Sequence, residues 1–283
     1  MLSDIKNVYG CSCGKDHILT TNHFIIEKDA AKKIPLLLKE LGVEKTPLCV
    51  YDKNTFSAIG GKIQKHLKNG VTYIVEGENI HPDENVLEGI QNKIKEIDAG
   101  VVLGMGGGVI TDASRHSAFL QKVPFVSVPT CASVDGFASG SSALSLGGGK
   151  VTLPSGAPIA VVCVLETIAA APKYLTASGV GDMLAKYIAI ADWRIGKYVS
   201  GEYYCDYIAD LQLDATNAIM DSIDDIAAGG MDGTGKLMEG LLLSGLAMQM
   251  SGITRPASSF EHHFSHFLEV VPFKNADKNA LLG

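Results

Sequence analysis

The spacing of apolar positions changes along the chain and divides it near residue 165. Up to that point short apolar runs alternate with helical periodicity. Runs at 23–26, 47–51, 71–75, 100–103 and 125–128 have the length and the β-branched content of buried strands. Between them, residues 30–41 predict a helix stopped by Gly42. Residues 85–97 predict another, with Val86, Ile90, Ile94 and Ile97 on one face. A β-α-β-α order of this kind predicts a parallel sheet with helices on both faces. Residues 139–158 are rich in Gly and Ser, with a short strand over 151–153, and residues 157–164 predict one more buried strand. Beyond about residue 167 the strand signals vanish, and 187–199, 204–221, 236–252 and 259–270 predict helices. The expected organisation is an α/β domain over residues 1–166 followed by an all-α domain over 167–283.

Composition narrows the class. The 283 residues are 46% apolar and 19% charged, so a substantial core can form. Net charge is −7 and no basic stripe is present, which argues against a nucleic-acid partner. The apolar runs are too short to span a bilayer, and the first ten residues hold no apolar signal core, so a cytoplasmic protein is expected. Of six cysteines only Cys11 and Cys13 lie close together, which suits free thiols in a reducing compartment. The segment from Cys11 to His17 raises the question of zinc. It lacks a second half with ligand spacing, and a surface loop or edge strand is the favoured reading.

Candidate chemistry gathers at two places. Gly104-Met-Gly-Gly-Gly108-Val-Ile-Thr-Asp112 stands where a strand gives way to a helix. Glycines there let backbone N–H groups approach a phosphate, and a helix N-terminus favours negative charge. The run departs from the usual dinucleotide fingerprint, because Val109 holds the third glycine position and the run follows the fourth strand, not the first. Asp112 is expected in the first turn of that helix, where the dipole alone could account for it. Thr130 and Ser133 follow the next strand as donors for phosphate or ribose. Asp135 is either an acceptor for a substrate hydroxyl or the start of an Asx-turn before Gly136. Asp52 follows the second strand, as an adenosine-side residue or a helix cap.

The second place is polar and helical. Asp182 is expected near a helix N-terminus, with Lys186 four residues on as an ion-pair partner. Glu261-His-His-Phe-Ser-His266 puts His262 and His266 on one helix face at metal-ligand spacing, or makes a solvated His cluster. Arg255 is a phosphate candidate only by charge and by its nearness in sequence to His262; a surface or capping role is the simpler reading.

Taken together, MGGGVITD, VPTCASVDGFASGSS, SGVGDMLAKYIAIADW and TRPASSFEHHFSH resemble the superfamily of iron-containing alcohol dehydrogenases, glycerol dehydrogenases and dehydroquinate synthases, over about residues 11–270. The last two segments resemble its glycerol-1-phosphate branch. The resemblance implies a Rossmann-like nucleotide-binding domain, a helical domain and an active site in the cleft between them. It implies NAD or NADP held by Gly106, Gly107, Gly108, Thr130 and Ser133, with Asp52 on the adenosine side and Asp112 and Asp135 toward nicotinamide and substrate. It also implies one divalent metal, zinc or nickel, on Asp182 and His262. The implied reaction interconverts dihydroxyacetone phosphate and sn-glycerol 1-phosphate in a homo-oligomer without membrane insertion. A polyol dehydrogenase or a non-catalytic nucleotide-binding protein are the other readings. The family's second metal histidine lies some twenty residues beyond the first, whereas no His follows His266 here. The resemblance therefore implies a truncated helical domain, an incomplete ligand set and poor metal binding, with His266 as a substitute ligand.

Overall fold

The structure is a computed structural model that describes residues 2–270, apart from the side chains of His266, Glu269 and Val270. It divides into two compact units. One comprises Thr20–Cys131 and Gly136–Ala171; the other comprises Met1–Leu19, Ala132–Asp135 and Pro172–Gly283. Residues 1–19, placed with the α/β part by the sequence reading, thus cluster with the helices. The principal change of unit falls at residue 172.

The α/β unit holds a six-stranded, fully parallel sheet. Its strands are β1 (His23–Glu27), β2 (Pro47–Asp52), β3 (Val71–Val75), β4 (Val101–Gly106), β5 (Phe125–Pro129) and β8 (Ala160–Val164), in the order β1-β8-β5-β4-β2-β3. This is the predicted parallel sheet, and its alternation is visible residue by residue. Cys49 and Tyr51 of β2 join one core with Leu103, Val128 and Ile34. Leu48 and Val50 join the other with Val102, Leu87 and Ile90. Each face is covered by helices, as continuous apolar strands require. The helices of this unit are α1 (Ile34–Glu40), the short α2 (Lys53–Thr55) and α3 (Gly61–His66), then α4 (Glu84–Glu96), α5 (Gly108–Leu120) and α6 (Leu165–Ala169). The Asp83 carboxylate accepts from the Val86 N–H at 3.0 Å and fixes the start of α4.

The Gly/Ser-rich stretch forms more structure than its sequence suggested. Strands β6 (Ser141–Leu146) and β7 (Gly149–Pro154) make an antiparallel hairpin. Its two-residue turn is Gly147-Gly148, at φ 58° and 77°. Both residues are left-handed, which is the geometry that matches the twist of paired strands and favours glycine.

The helical unit contains α7 (Lys173–Ser200), α8 (Asp206–Asp221), α9 (Ile223–Ala228), α10 (Met231–Ser251) and α11 (Phe260–Val270). The four predicted helices are all present, but α7 begins at Lys173, before the apolar run at 187 and before the helix start expected close to Asp182. Gly179 and Gly181 weakened the helical signal there. Trp193, Met183, Ile219 and Leu241 are fully buried between α7, α8 and α10. Among the described residues no helix is long and apolar enough to cross a membrane.

Candidate active site

In the α/β unit, the strand order reverses direction between β2 and β4, so the glycine run at the end of β4 stands at a topological switch point. Open α/β sheets bind ligands outside the carboxyl ends of strands at such points. A ligand-binding turn can therefore follow the fourth strand in this topology. Gly107 is the N-cap of α5 in extended backbone (φ −79°, ψ −164°), and Gly108 is the first helical residue. The two glycines before the helix differ in what they accommodate. A Cβ on Gly106 would lie 2.5 Å from Ile110 Cβ, so this glycine is required for packing. A Cβ on Gly107 would meet only Cys131 Sγ, at 3.3 Å. Thr130 lies beside the turn, its N–H donating to the Gly106 carbonyl at 3.2 Å.

Two nearby carboxylates have local partners. Asp52 caps α2, accepting from the Thr55 N–H at 2.8 Å, while the Thr55 hydroxyl accepts from the Asp52 N–H at 2.9 Å. Asp112 lies in the second turn of α5, not the first, since the helix starts at Gly108, so the dipole explains less of it than expected. Its carboxylate is 3.5 Å from the wholly buried Arg115 guanidinium, which also donates to the Gly136 and Ser141 carbonyls.

In the helical unit, the segment Ala132–Asp135 packs on α7. Asp182 is the tenth residue of that helix and not near its N-terminus, which corrects the dipole reading. What holds Asp182 is a set of specific donors. A Cβ on Gly179 would overlap the Ala132 carbonyl, so only glycine lets this segment lie against the helix. The Asp135 N–H then donates to Asp182 Oδ2 at 2.8 Å. The Lys186 ammonium, wholly buried, makes three bonds: to Asp182 Oδ1 at 2.6 Å, to Asp135 Oδ2 at 2.8 Å and to the Ala257 carbonyl at 2.9 Å. Ser244 of α10 donates to Asp135 Oδ2 at 2.7 Å. Asp135 is therefore a member of a buried network and makes no Asx-turn its main bond.

Electrostatics in this network are strong because water is excluded. Burial alone would raise the Asp182 pKa, but the Lys186 ammonium, with His262, holds the carboxyl below the usual carboxylate range. Burial alone would likewise lower the Lys186 pKa; Asp135 and Asp182 overcome it and hold the amine above the usual lysine value. Two carboxylates and one ammonium leave a net charge of −1. The His262 ring stands at this point, Nε2 3.6 Å from Asp182 Oδ1 and Nδ1 2.8 Å from Glu261 Oε1. Burial alone would lower the His262 pKa, but its ring nitrogens face two carboxylates, Asp182 at Nε2 and Glu261 at Nδ1, and these hold the imidazole above its usual value. An imidazole nitrogen and a carboxylate oxygen that face each other beside a net negative charge make a ligand pair suited to a cation that takes the place of the proton between them. The His266 side chain, the proposed substitute ligand, lies outside the described residues. Arg255 is committed elsewhere: it binds Glu202 Oε1 at 2.7 Å and Asp192 Oδ2 at 2.8 Å.

Sequence reading took Lys186 for an ordinary i,i+4 partner and did not find Ser244 or Arg115. The i,i+4 spacing was a correct signal, but the burial of Lys186 and its bond to Asp135 depend on Gly179 and on the distant Ala132–Asp135 loop.

The fold is shared with solved glycerol and alcohol dehydrogenases. A probable glycerol dehydrogenase from Sinorhizobium meliloti superposes with a TM-score of 0.75 over 93% of this chain and 74% of that one, at 19% identity. An iron-containing alcohol dehydrogenase from Thermococcus thioreducens does so with a TM-score of 0.74 over 90% and 71%, at 14% identity. The chain belongs to the iron-containing alcohol dehydrogenase family, whose profile matches residues 25–172. It is 37% identical to a glycerol-1-phosphate dehydrogenase (NAD(P)+) from Bacillus licheniformis, over 100% of this chain and 72% of the relative. It is 35% identical to a Thermofilum pendens protein of the same name, over 89% and 72%.

Proposed function

We propose that this chain catalyses the reversible, NAD(P)-dependent reduction of dihydroxyacetone phosphate to sn-glycerol 1-phosphate. The carrying observation is 37% identity, along the whole chain, with a relative named for that activity. Gly106, Gly107 and Gly108 are assigned to the cofactor diphosphate, where backbone N–H groups at the start of α5 offer donors and a favourable dipole. Thr130 and Ser133 supply further donors, Asp52 takes the adenosine side, and Asp112 and Asp135 take the nicotinamide and substrate end. Asp182 and His262 are assigned as two ligands of a divalent cation, zinc or nickel. When bound, the cation supplies Lewis acidity toward the ketone oxygen and the nicotinamide supplies the hydride. The chain's own part is positional: Lys186 and the Asp135 N–H orient an ionised Asp182, and Glu261 fixes the tautomer of His262.

The two glycines separate packing from binding. Gly107→Leu is expected to raise the Kd for NADH at least about tenfold, because its side chain must enter the phosphate approach. Gly106→Ala is expected to cost about 1–3 kcal/mol of stability through overlap with Ile110. Cofactor titration and thermal unfolding of both variants check this, and unchanged NADH affinity in Gly107→Leu would remove the diphosphate assignment. Substrate choice is tested by kcat/KM for dihydroxyacetone phosphate against dihydroxyacetone. A preference of at least about 100-fold is expected of a site that binds the phosphate through charge-assisted bonds. Equal values would turn the reading to a polyol dehydrogenase.

A further inference from the structure

The helical unit contains a second constellation that the proposed reaction does not use. Cys11, Cys13 and His17 come from the N-terminal loop, and Cys205 is the N-cap of α8. The loop is closed by an antiparallel bridge between Val8 and His17, with N–H to carbonyl bonds of 2.9 and 2.7 Å. Inside it the Gly14 N–H donates to the Cys11 carbonyl at 2.9 Å, and the Gly10 N–H to Asp16 Oδ1 at 2.7 Å. The tight turn aims both thiols at His17.

Three of the six distances between the ligand atoms are close to the edges of a tetrahedron around a zinc ion. Cys11 Sγ is 3.7 Å from Cys205 Sγ, while His17 Nε2 is 3.4 Å from Cys13 Sγ and 3.3 Å from Cys205 Sγ. All four atoms lie within 4.8 Å of one another. Zinc–sulfur and zinc–nitrogen bonds of ordinary length give tetrahedral edges of about 3.8 Å for S···S and about 3.5 Å for S···N. The tautomer of His17 also fits. The ring is wholly buried, and Nδ1 is 2.9 Å from the Met250 carbonyl, which can only accept. Nδ1 therefore carries the proton, and Nε2 presents its lone pair to the sulfurs, in the outer-shell arrangement usual for metal-bound imidazole. The Tyr203 hydroxyl, 3.6 Å from Cys13 Sγ, can donate to a thiolate there.

We propose that Cys11, Cys13, His17 and Cys205 form a structural Cys3His zinc site, separate from the residues assigned to catalysis. Zinc binding releases three thiol protons to solvent and leaves a site charge of −1, with no change of oxidation state. Four protein ligands complete a tetrahedron with no open position, which is the pattern of structural and not catalytic zinc. The ion ties the N-terminal loop to the start of α8 and, through His17, to the end of α10, joining segments separated by 188 positions of sequence. A single loop holding Cys11, Cys13 and His17 shows three ligands; the fourth is invisible to local spacing.

The test is cobalt substitution of the full chain. Sulfur-to-cobalt charge-transfer bands can arise only from this cluster, because Asp182 and His262 offer no sulfur. The bands are expected in the wild type and in His262→Ala, and should be lost in Cys205→Ser. If Cys205→Ser does not fold, titration of the wild type with an organomercurial replaces it. Cys11 and Cys13 are partly exposed while Cys49, Cys131, Cys163 and Cys205 are buried, so reaction of the first two thiols should release one zinc per chain. Absence of thiolate–cobalt bands in the wild type, or a Cys11–Cys205 disulfide in protein purified without reductant and containing no zinc, would overturn the proposal.

Discussion

Replacing Lys186 by methionine is expected to destabilise the protein by about 3–5 kcal/mol at neutral pH, the usual cost of leaving buried charge uncompensated. Methionine retains the volume and the apolar stem, so the loss is electrostatic and not a cavity. Three donors vanish together: those to Asp182, Asp135 and the Ala257 carbonyl. Two carboxylates are then left close together with little water. The pH dependence identifies the cause. In the wild type the Asp182 pKa is depressed, so its contribution is present above about pH 4, the unfolded carboxylate value, and is lost as pH falls through the folded value. In Lys186→Met, burial and the neighbouring carboxylate are opposed only by His262 and the neutral donors of Asp135 N–H and Ser244, so the pKa of the pair rises. The folded state then binds more protons than the unfolded state, so the variant should become less stable as pH rises from about 4 to 7. Thermal unfolding over that range distinguishes the two slopes. A variant within about 1 kcal/mol of wild type at pH 7 would show that the ammonium is dispensable.

The sheet was legible because each β-strand is a short apolar run bounded by turn residues, and because α4 carries its apolar stripe and its Asp83 cap in plain view. The hairpin of β6 and β7 was half-legible: Gly147-Gly148 marks a turn, but the flanking Ser and Gly positions have weak strand preference and depend on pairing with each other. The start of α7 was misplaced for the opposite reason. Gly179 and Gly181 lower helix propensity, yet Gly179 is there to admit the Ala132 carbonyl, a tertiary requirement that overrides local preference. Of the site residues, Asp182 and His262 were each legible locally but were paired only through resemblance, since 80 positions separate them and nothing in spacing links them. The contact at 3.6 Å follows from the docking of α11 on α7. Asp52 illustrates the reverse case: its local reading as a cap is fully realised, which leaves an adenosine-side role to be established by binding.

On the proposed assignment, His262→Ala should lower turnover at least about 10³-fold, the rate equivalent of the several kcal/mol that Lewis-acid stabilisation supplies. The same variant should lose the catalytic divalent ion while the fold persists, because His262 is only half-buried and its removal leaves little cavity. Asp182→Asn is the harsher partner. It keeps the shape but removes the charge that balances Lys186, so loss of metal should be accompanied by loss of stability. Glu261→Gln grades the effect. Its carboxylate fixes the imidazole from behind, at 2.8 Å, and weakening such an outer bond commonly costs about 10–100-fold in metal affinity or activity. The expected ranking in turnover is therefore wild type, then Glu261→Gln, then His262→Ala and Asp182→Asn together. Metal content should be counted against the thiolate–cobalt signal, so that an ion held by the cysteine cluster is not mistaken for the catalytic one. If His262→Ala retained full turnover and its full non-thiolate metal, the imidazole would be a bystander to Asp182 and the cation would have to be held by other residues.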